Sequence, residues 1–226
     1  MPEAEETVGV RIQLRAVTYV HEFTEILWHI DRAYNAVYFF FDLVSDVEDA
    51  HRLWRRYWPG PDWPAVLPFF ALPVRGQRKA VLSLPALADI RDIAKDVAGY
   101  VEPGDRLSLI ACQIGSPGFL EFIGKLNPLE VIRQWVQDRH ERRKDREYRE
   151  HAENEKLHLG NQLLRNQVLK ERIEMLRELG VPRTAIKQVI NKLLVEPFVP
   201  VQKHLDSGEV TDIERIPVQG ERDGRS

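Results

Sequence analysis

The densest store of chemically able side chains lies between Gln137 and Lys156, where seven basic and seven acidic residues crowd a stretch with almost nothing apolar. Within it Glu147, His151 and Glu155 share one helical face, and His158 follows a turn later, so a carboxylate–histidine metal site is geometrically possible. All four would come from one exposed helix, with no residue in view to orient the imidazoles. A solvated face is therefore expected there, and no metal or cofactor. Arg139, Arg142, Arg143, Lys144 and Arg146 could serve as the contacts of a nucleic-acid arm. The interleaved acids cancel most of that local potential, and phosphate binding depends on uncompensated charge. Opposite charges recur at helical neighbour spacing, as in Asp138–Arg142 and Arg146–Glu150. Each pair contributes about 0.2–0.5 kcal/mol, so the segment is predicted to stay helical with nothing covering it.

Other candidate chemistry is thinner. Cys112 sits mid-strand among apolar residues, which predicts a buried, inert thiol rather than a nucleophile. Gly115-Ser116-Pro117-Gly118 lies where phosphate loops occur, but lacks the lysine and spacing of such loops and reads as a tight turn. Ser116 is likewise outside a nucleophile-elbow context. Leu176 to Leu193 has helix-turn-helix spacing, with Gly180 and Pro182 in the turn. Its second helix offers only Arg183, Lys187 and Lys192, which suits a packing corner better than a DNA reader. Nothing here names a reaction, and a non-enzymatic protein is expected.

The elements that must position these residues are legible by period. Val8, Val10, Ile12 and Leu14 alternate with Arg11, Gln13 and Arg15, as in a strand with one buried face. From His21, apolar residues at steps of three and four run to about Val47, the stripe of a helix. The aromatic cluster at 38–41 permits a competing strand over 36–44. Ser45-Asp46-Val47-Glu48 resembles a capping box, predicting a second helix to about Trp58. Residues 58–74 carry five prolines and a glycine-proline turn among aromatics and read as a packed loop. A short strand over 79–84 and a helix over 86–98 follow. Arg106 to Ile114 is apolar on both faces, which predicts a central strand beside 8–17. Phe119 to Leu126 reads as a short helix. Asn127-Pro128-Leu129-Glu130 combines cap, first-turn proline and glutamate as a helix start. If unbroken through Gly160, that helix would run some ~50 residues and about 75 Å. Pro182 opens a further helix, Val210 to Val218 offers a strand, and disorder is expected over 219–226.

These readings give an α+β chain: a head over 1–118 with a small helix-covered sheet, a long charged helix and coiled-coil-like helical hairpin over 119–196, and a partly disordered tail over 197–226. Association is where the sequence points. With Leu159, Asn166 and Ile173 at heptad position a, the helix from Leu157 to Leu179 has an apolar face wider than one neighbour needs. Leu164, Asn166, Val168, Leu169, Ile173 and Leu176 are the expected interface of a homodimer or higher oligomer, with Asn166 near the axis; the alternative is a helix folded back on its own chain, with Asn166 simply exposed.

Composition sets the outer bounds. Over 226 residues, 32 Lys+Arg face 35 Asp+Glu for a net charge of −3, which excludes a globally basic nucleic-acid coat. One cysteine cannot form an internal disulfide, and no apolar run reaches the ~18 residues of a membrane span, so a cytoplasmic protein without membrane insertion is expected. The stretch from Arg106 to Gly208, including GSPGFLEFIGKLNPLEVIRQWVQDRHERRKDREY and LRELGVPRTAIKQVINKLLVEPF, is similar to uncharacterised bacterial proteins of signalling or conflict-system (defence) gene clusters. Its strand–helix order resembles prokaryotic TRADD-N-type adaptor modules. The resemblance carries no catalytic motif and implies an accessory or adaptor role with an unknown protein partner. Nucleic-acid regulation through 139–149 and 176–193 is the alternative.

Overall fold

A computed structural model describes residues 6–15, 19–57, 97–144 and 166–217. The expectations for 58–74, 79–84 and most of 86–98 lie outside the described residues. So do those for the charged helix beyond Lys144, for Leu164 and Arg146, for the Glu147–His158 set and for the extreme C-terminus.

Strands β1 (Thr7–Leu14), β2 (Ser108–Gln113), β3 (Gly118–Lys125) and β4 (Val210–Ile216) form one antiparallel sheet in the order β2-β3-β1-β4. Helix α1 spans Val20–Tyr57, α2 Leu126–Lys144, α3 Gln167–Glu178, α4 Arg183–Val189 and α5 Phe198–Ser207, with a π-helical turn Ile190–Val195 extending α4. Two 3-10 turns, Val97–Tyr100 and Pro103–Asp105, lead into β2.

The alternation read in β1 places Val8, Val10, Ile12 and Leu14 on the covered face of the sheet. Opposite them stand Gly124, Phe122 and Leu120 of β3, and Ile213 and Val210 of β4. The reverse face carries Arg11, which joins Glu121 and lies over the Phe119 ring. β3 replaces the expected helix at 119–126. Its apolar residues 119, 120, 122 and 123 satisfy either period, and pairing on both sides decides for strand. It separates β1 from the 106–114 strand, so the expected neighbour relation fails and that strand sits at the sheet edge. The expected turn at 115–118 is the β2–β3 connection; a Cβ on Gly118 would lie 2.6 Å from the Gln113 carbonyl oxygen.

α1 is one helix through 36–44, where strand was the alternative. It also runs through Ser45–Glu48, since no glycine or proline interrupts Val20–Tyr57 and the proposed capping box has no terminus to cap. Its middle is buried nearly all round, with Ala33, Tyr34, Asn35, Ala36 and Val37 all below 2% exposure. Tyr34 pins it to the sheet: its hydroxyl donates to the Asp105 carbonyl at 2.9 Å and accepts from the Lys125 amide at 2.8 Å. A Cβ on Gly124 would lie 2.8 Å from that ring, so only glycine lets α1 approach there. α2 is already helical at Leu126, so Asn127 is a first-turn residue and not the expected cap.

α3 ends as its Leu179-Gly180 signal predicted. Gly180 has φ +78°, its amide reaches the Arg177 carbonyl, and the Val181 amide reaches Leu176, a Schellman closure. α3, α4 and α5 do not form a projecting coiled-coil-like hairpin among the described residues. Leu169, Leu193 and Phe198 belong to the same hydrophobic cluster as Val10 and Ile213, so one core runs from the first strand to the last.

Candidate interaction edge

Of the six residues expected to pair two copies, the five that the structure describes are occupied within one. Leu169, Ile173 and Leu176 are at most 2% exposed against the chain's own core, and Val168 packs beside them. Asn166 is the N-cap of α3: its Oδ1 accepts from the Val168 and Leu169 amides at 3.1 and 3.3 Å, and its Nδ2 donates to Gln134 Oε1 at 2.8 Å. A heptad-like apolar face is the same pattern whether the cover is a second copy or α1 and α2. Here the cover is intramolecular.

Of the five candidate nucleic-acid contacts, Arg139 is the one whose side chain is described. Arg139 is turned inward and holds Asp206 of α5 through Nη2 at 2.7 and 2.9 Å and Nε at 3.2 Å. A guanidinium spent on a bidentate internal pair is not offered to phosphate. The backbone of Arg142, Arg143 and Lys144 completes α2. In the helix-turn-helix-like corner Ile186, Val189 and Leu193 are buried and Lys192 pairs with Glu196 at 2.6 Å, while Arg183 and Lys187 are exposed.

Among the described residues, the sheet edge with no further strand paired to it and no charge on it is β2. Read from sequence as central, it is an edge strand, and Leu109, Ile110 and Ile114 are 44%, 48% and 46% exposed. Cys112 is exposed as well, contrary to the buried thiol expected. No charged residue occurs from Leu107 to Leu120. The opposite edge is built differently: β4 exposes Asp212, Glu214 and Arg215, and charges of this kind are how edges are protected from pairing. The two edges of one sheet thus differ in the property that decides whether a further strand can add.

A second cluster joins residues distant in sequence. His29 Nδ1 of α1 lies 2.8 Å from His204 Nε2 of α5, and His204 Nδ1 lies 2.5 Å from Glu209 Oε2. With both rings neutral, one proton arrangement satisfies all contacts: His204 Nδ1–H donates to Glu209, leaving Nε2 to accept from His29 Nδ1–H. Gly208, at φ +82°, ends α5 and turns the chain so that Glu209 reaches back over His204. Burial, and then the facing His204, hold the His29 imidazole below its ordinary value of 6.5. Among the described residues no three His, Cys, Asp or Glu side chains are placed to hold a metal ion. The evident work of the cluster is to fasten α1 to α5. No sequence signal pairs His29 with His204, since each is one histidine on its own helix.

Among the described residues no helix is long and apolar enough to cross a membrane. Compared with family models, curated proteins and solved structures, the chain matches none.

Proposed function

We propose that this protein is a non-enzymatic interaction and oligomerisation module, an accessory or adaptor component of a bacterial signalling or defence system, and that it associates by accepting a strand along the free edge of β2. The observation that carries the reading is the contrast between the sheet's two edges. β4 carries exposed Asp212, Glu214 and Arg215; β2 carries exposed Leu109 and Ile110 and no charge at all. An unprotected edge offers a row of backbone donors and acceptors, with side-chain positions above and below that select the partner.

The test reads the backbone directly. An uncharged peptide of alternating valine and threonine is added to the purified chain, and amide exchange is followed over 108–113. The β2 amides that point away from β3 should exchange rapidly in the free chain and slow by about tenfold with peptide, and Ile110→Lys should abolish the slowing. Amides already protected in the dilute chain, and indifferent to peptide, would overturn the reading.

A further inference from the structure

We infer that the strand occupying this edge is β2 of a second copy, paired antiparallel about a two-fold axis between Ile110 and Ala111. The inference rests on the edge reading above and adds the identity and register of the occupant.

A two-fold pairing places residue i of one copy opposite residue j of the other and j opposite i, so the strand must complement itself. Opposite residues in an antiparallel pair project to the same face, so a permitted register must match faces as well as chemistry. The faces of β2 are given by its pairing with β3. Leu109 is opposite Phe122 and Cys112 opposite Leu120, so both lie on the helix-covered side; Ser108 and Gln113, opposite Ile123 and Phe119, lie on the other. Two residues three apart share a face only because the register shifts between Leu109 and Ala111, with Ile110 as the extra residue.

With the axis between Ile110 and Ala111, Leu109 meets Cys112 of the second copy on the covered side. Ser108 meets Gln113 on the other side, polar against polar. Extending the pairing by one step brings Leu107, which packs on the core, opposite the exposed Ile114. The nearest charge, Arg106, falls opposite Gly115, so no like charges meet anywhere along the strand. Every exposed apolar side chain of the edge gains an apolar neighbour, and two four-stranded sheets become one of eight.

The experiment uses the full chain. Light scattering should give twice the 26.3 kDa of the monomer, and Ile110→Lys should return it to the monomer with an unchanged circular dichroism spectrum. Register is read by mild oxidation of Leu109→Cys, which retains Cys112. Peptide mapping should find disulfides between position 109 of one copy and 112 of the other, formed as two thiols lose two protons and two electrons to added oxidised glutathione. Under the same oxidation the wild-type chain, whose Cys112 faces Leu109, should not cross-link. A 112–112 disulfide in the wild type would overturn the register. A chain monomeric up to about 100 µM would overturn the second copy as occupant. If that monomer still shows peptide-dependent slowing over 108–113, the edge reading stands alone; if it shows none, both fall.

Discussion

At the residue scale, the His29–His204–Glu209 chain makes stability depend on pH with a definite sign. The hydrogen bond between the rings needs one of the two facing nitrogens without a proton, and protonating both imidazoles would turn two N–H groups toward each other. Glu25 favours protonation of His29, while Arg32 and Lys203 oppose it together with burial and His204, and the net result is depression. A histidine depressed in the fold binds fewer protons there than in the unfolded chain. Its contribution is therefore complete above the unfolded value of 6.5 and is lost as pH falls through the lower folded value. The melting temperature should drop between pH 7 and pH 5, and His29→Phe should flatten that part of the profile. An unchanged slope in the variant would place the pH dependence elsewhere.

At the element scale, the same residue types serve different ends according to what surrounds them. Asn166 was the residue expected to set the register of a coiled coil; it caps α3 and ties that helix to Gln134 of α2. Asn166→Ala should therefore cost about 0.5–2 kcal/mol in urea unfolding, as a lost cap does, without changing the oligomeric state. A change of mass with no change of stability would restore the register role. β3 illustrates the opposite limit of local information. Gly118–Lys125 fits both helical and strand periods, and only its position between β2 and β1, hydrogen-bonded to each, makes it a strand.

At the scale of the whole molecule, the core is continuous from β1 to β4, and the C-terminal helices belong to it. Leu169 and Ile173 are inside a single chain, so charging them attacks the fold and not an interface. The pair Leu169→Glu and Ile173→Glu should destabilise by more than about 4–5 kcal/mol, seen as loss of the cooperative thermal transition. A folded monomer with native circular dichroism would return these residues to an interface. β4 has a comparable global role, since strand 210–216 closes the sheet on β1 nearly two hundred residues away in sequence.

The sequence by itself determined what depends on neighbours along the chain. The alternation of Val8, Val10, Ile12 and Leu14 made β1, the three-and-four spacing from His21 made most of α1, and Gly180 and Pro182 marked the corner between α3 and α4. These signals are local because backbone dihedrals, helix ends and side-chain periods are set within a few residues. Only the tertiary structure decided what each surface meets. The apolar face of α3 could have met a second copy as well as its own core, since hydrophobic burial is blind to which chain supplies the cover. Arg106–Ile114 carried the composition of a central strand and became an edge, because sheet order is a matter of long-range pairing. His29 and His204, 175 residues apart, became partners only when α1 and α5 packed together. The candidate site was thus half legible: its apolar, uncharged strand stood in the sequence, and its place at the edge of the described sheet came from the order of strands.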